Sequence, residues 1–419
     1  MEDNLSKLQS AAATQVFSAY EKLIIGILAF LQFTIVLDFM IMSPLGAVLM
    51  PALKMTTSQF GYVVSAYAFS AGIAGFMSAG FADRFDRKKL LLFFYAGFLI
   101  GTFLCGIAPS YEFLFGARMI TGLFGGVIGS VVSAIATDLF AYERRGRVIG
   151  YVQTAFAASQ VLGIPIGLYI SNHWGWHMPF MFIVSLGAVA GVVIIFKMQP
   201  VDTHLHLIKI KHNPFKNLFK TLINLDYLTA FVTTALMSLG GFLLMPFMSA
   251  FTVKNVGISL EKLPLIYFVT GVSSIFMGPI IGRMSDKFGK FKVFFAGAIL
   301  TAITVLIYTH LGITPLWVLM LVNVVLFASI FMRMIPSQAL ISAIPEPNNR
   351  GAFMAVNSSM AQVAGGIASV IAGLIVVEGA DGKLIHFNYL GYFLTCTVMF
   401  SVYMMYRISR YVEKSQKKN

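Results

Sequence analysis

Three residues have the type and setting to do chemistry, because each puts a charge inside a long apolar run: Asp38 in FTIVLDFMIMSP, Arg118 in LFGARMITG and Arg333 in SIFMRMIPSQ. A charged side chain at the centre of a bilayer costs roughly 2.5–3.5 kcal/mol on insertion scales, so such residues are candidates for ion or substrate handling. At about 1.5 Å per residue, Asp38 falls roughly 24 Å from the inner end of its run and Arg118 about 9 Å from the outer end of its own. Those depths are compatible with a pair. Burial disfavours a charged carboxylate and a neighbouring arginine favours it. Asp38 is therefore the candidate for exchanging a proton as an aqueous cavity changes sides. Arg333, with Pro336 just beyond it, is expected to attract an anionic group on the substrate, to satisfy carbonyls freed by the proline or to snorkel inward. If Asp38 takes up a proton while both arginines stay charged, the cavity is net cationic and favours neutral or acidic cargo.

The elements that position these charges are membrane spans. The 419 residues are 58% hydrophobic and only 11% charged, and the mean hydropathy is +0.82. A soluble chain is about 25% charged. Apolar runs long enough to cross a bilayer, roughly 20 residues, recur along the whole sequence. They are expected at 22–48, 58–82, 90–108, 112–138, 147–171, 177–197, 226–253, 262–284, 291–310, 315–343, 350–378 and 386–407. The first has no A-x-A cleavage site and reads as a retained span. Cys105 and Cys396 lie within apolar runs and imply no disulfide framework.

Lysine and arginine concentrate in alternate loops, which orients the chain by the positive-inside rule. Loops assigned outside hold only Lys54, Lys254, Lys262 and Lys383, whereas the inside loops carry clusters such as Arg84, Arg87, Lys88 and Lys89. Both termini are thus expected in the cytoplasm. This distribution accounts for the net charge of +13 without any nucleic acid partner. The longest non-spanning piece, 198–225, carries LIKI and FKNLFKTLI and is expected to lie partly on the inner surface as an amphipathic segment. Its His204 and His206 have no Cys or carboxylate cluster nearby, so no metal site is expected.

DRFDRKK at 83–89 sits between spans two and three, and DKFGKFK at 286–292 between spans eight and nine. RRGRV at 144–148 and NRGAF at 349–353 repeat the correspondence after spans four and ten. A repeat of about 200 residues marks a transporter built of two equivalent bundles with a site near the midplane between them. The organisation is then a 1–21 N-terminal segment, a 22–197 bundle, a 198–225 connector, a 226–407 bundle and a 408–419 basic tail.

On these residues the chain resembles the major facilitator superfamily over nearly its whole length. The loop signature G-x-L-a-D-r-x-G-r-k appears as Ala79 to Lys88 and, more faintly, as Gly282 to Lys290, with Ala79 and Asp86 where the family has glycines. Arg118 to Gly122 is similar to R-x-x-q-G, with Thr121 for glutamine. Gly163, Pro165 and Gly167 resemble the G-P-x-x-G-G packing motif of drug-exporting members.

The resemblance implies an all-α membrane protein of twelve helices in two pseudo-symmetric six-helix bundles. It implies proton coupling through Asp38 and Arg118, and a cavity whose candidate lining is Gln32, Phe39, Tyr67, Gln153, Phe247, Asn323, Arg333 and Asn357. It also implies a charge cluster, of Asp83, Arg84, Arg87 and Asp138 with Asp286 and Lys290 in the second copy, that ties the halves together when the cytoplasmic side closes. Arg84, Lys88 and Lys89 are further expected to meet anionic lipid headgroups. Glycines at 125–130, 163–167 and 364–373 are expected to let helices pack closely.

The expected protein is a monomeric secondary transporter of the bacterial inner membrane. It uses a proton as coupling ion and no cofactor, and it exports a small amphipathic molecule by alternating access. The alternative is a proton-linked or facilitative importer of a sugar or organic acid. No G-x-x-x-x-G-K-[ST] run for ATP is present, and no metal or nucleophile constellation suggests an enzyme.

Overall fold

The computed structural model describes residues 17–202, 205, 214–346 and 349–416. His204, His206 and the LIKI stretch lie outside them. Twelve helices among the described residues are long and apolar enough to cross a membrane. They are Ala19–Ile41, Thr57–Ser78, Arg87–Gly106, Tyr111–Leu139, Arg144–Trp174, Met178–Lys197, Tyr227–Lys254, Leu260–Phe288, Lys290–Thr309, Leu316–Ile341, Arg350–Ile375 and Phe387–Lys414, called spans one to twelve.

Local chemistry sets several of the boundaries. Ser18 and Glu21 form a reciprocal capping box at the start of span one, and Thr56 with Gln59 does the same for span two; each box satisfies two otherwise orphaned N–H groups. Asp86 caps span three by accepting from the Lys88 N–H at 2.9 Å, and its same oxygen accepts from the Val201 N–H at 3.1 Å. An aspartate in place of the family's glycine thus anchors the start of the connector. In the second copy the corresponding Gly289 has φ +96°, a left-handed conformation that glycine takes at no steric cost. The two loops therefore share a sequence pattern and differ in backbone.

Three boundaries differ from the expectation. Span one stops at Ile41 and is followed by a turn and a short helix, Gly46–Ala52. The apolar run at 350–378 ends as helix at Ile375, and Val377–Glu378 pairs with Leu384–Ile385 in a small antiparallel hairpin. The last helix continues to Gln416, so most of the basic tail is not a separate segment. Met405, Ile408 and Val412 keep it packed on Leu218 and Tyr227.

Each half has its own core near the face that carries the termini, one around Leu28, Tyr95 and Val131 and one around Phe231, Phe294 and Phe353. At the opposite face a single apolar cluster includes Leu37, Leu45 and Phe60 of the first half together with Leu243, Phe247 and Ala368 of the second. The halves are sealed there and separate at the terminal face.

Candidate functional site

Arg118 Nη1 donates to Asp38 Oδ2 at 2.8 Å, and Thr102 Oγ1 donates to Asp38 Oδ1 at 3.1 Å. The two charged side chains are 0% and 1% exposed. Arg118 Nε is buried without a hydrogen-bond partner, and the guanidinium lies 4.5 Å from the centroid of the Tyr67 ring. Small residues create this arrangement. A Cβ on Gly126 would fall 2.5 Å from Ala71 Cα, so span four rides against the backbone of span two and delivers Arg118 to Tyr67. Replacing two hydrated ions with one buried pair is costly unless geometry and further hydrogen bonds compensate; here Thr102 supplies one of those bonds.

Beside the pair lies a cavity of about 1320 Å³. Its lining runs from Gln32, Phe39 and Tyr67 at mid-depth to Thr137, Arg87, Lys220 and Asn349 near the terminal face. Tyr67 and Phe39 stand 5.1 Å apart. Tyr67 contacts both the guanidinium and the cavity, while Asp38 and Arg118 are not among the lining residues. Phe39 also contacts Phe242 of span seven at 5.6 Å, so an aromatic row reaches from the pair across to the second half. At the sealed face four side chains bond to carbonyls across the halves. Thr57 Oγ1 donates to Val376 O at 2.5 Å and Ser58 Oγ to Gly373 O at 2.9 Å. Ser249 Oγ donates to Ser43 O at 2.8 Å and Asn172 Nδ2 to Leu260 O at 2.9 Å.

Of the residues expected to line the cavity, Gln32, Phe39 and Tyr67 do. The other five are placed elsewhere. Gln153 is exposed and outside the lining set. Phe247 packs 5.9 Å from Phe60 in the sealed cluster. Asn323 donates to Leu319 O beside a separate small void. Arg333 is buried within the second half, 3.4 Å from Ser401 Oγ and over Phe294, with no carboxylate partner among the described residues. Asn357 is partly buried off the cavity wall, its Oδ1 unbonded. Helical phase decides the other cases, Phe247 apart, which sits in a short 3-10 turn: a polar residue on the correct span still faces away when its turn is wrong.

Among the described residues, the pairs that these loop charges make lie within their own halves. Arg87 Nε bonds Asp138 Oδ2 at 3.0 Å and its Nη1 donates to Ala82 O at 2.8 Å. Asp286 and Lys290 form only an exposed one-turn pair at 3.9 Å. Arg84 is exposed, and the Asp83 side chain lies outside the described set. Lys88 caps the end of span six through Met198 O at 2.6 Å. The 163–167 motif packs span five on span one: a Cβ on Gly163 would meet Leu37 and one on Gly167 would meet Ile41, with Pro165 buried between them. Sequence reasoning missed Thr102, Phe242 and Gln362; being uncharged, they carry no signal of depth or phase.

Two six-helix halves enclosing a central cavity, with a buried ion pair beside it, define a membrane transporter rather than an enzyme. The chain belongs to the Major Facilitator Superfamily, whose model matches residues 28–236 and 230–419. It is similar to the uncharacterized MFS-type transporter YceJ of Bacillus subtilis, 26% identical over 82% of this chain and 87% of that one. It is also similar to Multidrug resistance protein 1 of the same organism, 23% identical over 86% and 89%. Among solved structures, it resembles a bacterial homologue of the human lysosomal transporter Spinster in an inward-facing, unoccupied conformation, with a TM-score of 0.77 at 14% identity over 95% of this chain and 99% of that chain. A D-xylose–proton symporter is similar in fold, with a TM-score of 0.75 at 18% identity over 92% and 97%.

Proposed function

We propose that this protein is a proton-coupled antiporter that exports a small amphipathic molecule by alternating access. The observation that carries the reading is the Asp38–Arg118 pair, wholly buried yet separated from the cavity by Tyr67. With the termini placed in the cytoplasm, the orientation that the lysine and arginine distribution favours, the cavity opens inward. Cargo entering it displaces Phe39 and Tyr67, and the pair loses its cover. When the halves rock to open outward, span one shifts against span four within the first half, and Asp38 parts from Arg118, takes a proton from outside and carries it in on the return. Arg118 keeps the empty, deprotonated carrier stable, because a buried carboxylate without a counter-charge is strongly unfavourable. The drug-resistance name of one relative agrees with export of amphipathic cargo.

The test uses everted membrane vesicles acidified inside by respiration. Cargo uptake into vesicles containing the protein should release protons, and Asp38→Asn should abolish both. Uphill cargo movement by Asp38→Asn refutes the coupling, and cargo leaving the vesicles together with protons selects the importer reading instead.

A further inference from the structure

We infer that the central cavity selects an uncharged, hydrogen-bond-donating amphiphile, held by its polar head between Gln32 and Gln362, and discriminates against organic cations and anions alike. This deepens the transporter reading of the cavity and rests on it.

Gln32 is 13 residues into span one and Gln362 is 12 residues into span eleven, so they stand about 20 Å and 18 Å from the terminal ends of their helices. Their amides reach the cavity from opposite halves at one level. Neither makes a hydrogen bond to a described residue, and each offers a donor pair and an acceptor. Around them the wall is hydroxyl-rich, and several of its protons are committed. Ser78 donates to Gly75 O, Ser130 to Val127 O, Ser133 to Gly129 O and Thr137 to Ala134 O, at 2.7–3.0 Å. What these four hydroxyls present to the cavity is therefore lone pairs, while Ser358 and Ser359 in the same wall make no hydrogen bond to a described residue and can donate. Donors alone do not replace a carboxylate's hydration, and at this depth it has no cation beside it among the described residues, since Arg118 lies behind Tyr67 and Arg87 and Lys220 stand near the mouth, so an anion is disfavoured.

A cation fares no better. No carboxylate of a described residue lines the cavity, and Asp38 is engaged by Arg118 and Thr102 behind Tyr67. The charged lining residues among those described are Arg87, which is paired with Asp138, and Lys220, both near the mouth and both positive. Moving an ammonium from water into such a site without a counter-charge is opposed by its lost hydration. A neutral head that donates hydrogen bonds fits the lone pairs and the two amides, while an aromatic body fits Phe39 and Tyr67.

The test compares three probes on one scaffold, 4-(1-pyrenyl)butanamide, 4-(1-pyrenyl)butylammonium and 4-(1-pyrenyl)butyrate, binding to the full chain in lipid nanodiscs. Dissociation constants come from pyrene anisotropy after subtraction of empty nanodiscs, and no pH gradient is imposed. The carboxamide should bind about tenfold tighter than either ion, the equivalent of roughly two neutral hydrogen bonds. Gln32→Leu and Gln362→Leu should each weaken it about fivefold, with thermal midpoints reporting that the variants fold. Gln362→Glu should shift preference toward the ammonium. Equal or tighter binding of an ion, carboxamide binding untouched by both leucine variants, or no binding of any probe overturns the inference. Because the ranking is read at equilibrium, failure of Asp38→Asn to affect coupling leaves it intact, and the two readings fail separately.

Discussion

Removing one member of the Asp38–Arg118 pair and then both isolates what the pair contributes. The two side chains are 0% and 1% exposed and meet at 2.8 Å, so Asp38→Leu strands a guanidinium and Arg118→Leu strands a carboxylate, each in an apolar interior. Breaking a buried pair in this way costs about 3–5 kcal/mol, whereas replacing both partners by apolar residues is often neutral. For a chain of 419 residues the unfolding entropy is on the order of 0.9 kcal/mol per kelvin, so each single variant should melt about 3–6 °C below the parent. The double variant should recover most of that loss, with a coupling energy of opposite sign to the sum of the singles. The assay is thermal unfolding of the purified protein in one detergent, followed by tryptophan fluorescence, with proton-linked transport measured in parallel. Recovery of stability without recovery of transport is expected. If the single variants melt with the parent, or the double variant falls by the sum of the two, the carboxylate and guanidinium do not compensate one another. The account of Asp38 as a group released by separation from Arg118 is then wrong.

Tyr67→Ala should uncover the pair from the cavity side; in a Cys396→Ser background, Cys105, which is buried near Arg118, should change from unreactive to fully alkylated by N-ethylmaleimide, and continued protection would show that Tyr67 is not the cover. Thr57→Val with Ser58→Ala removes two hydrogen bonds across the sealed face. At about 0.5–1.5 kcal/mol each, their loss should raise the outward-open population roughly tenfold, read by spin-label distances across that face; an unchanged distribution would deny them a closing role. Arg333→Met deletes a buried cation that has no carboxylate partner among the described residues. Its melting temperature should hold or rise with transport kept, and a loss of several degrees would reveal a counter-ion that this conformation does not contain.

The spans, the division into halves and the Asp38–Arg118 pair were legible because hydropathy and scarcity of charge are strong signals in a chain facing lipid. An aspartate amid LDFMIMSP has few explanations, and the structure puts it on Arg118. Uncharged polar residues give no such signal. Gln32 and Gln153 look alike in sequence, yet one lines the cavity and the other is exposed; helical phase among twelve similar helices separates them. Phe247 was lost to a local break at Pro246, where a short 3-10 turn re-aims the following residues into the sealed cluster. The hairpin after Ile375 was hidden because valines 376 and 377 extend the apolar run that the hydropathy window reads as helix.

Gly61 and Gly373 meet with almost nothing between them: a Cβ on Gly61 would fall 2.6 Å from Ser369 O and 3.0 Å from Gly373 Cα. The seam between spans two and eleven is therefore shut as tightly as two polypeptides allow. One added methyl would act as a wedge and prop the outer door ajar while the inner one stands open. For a carrier such a gap is a leak, so the identity of these two residues guards the membrane's ion gradient as much as it guards the fold.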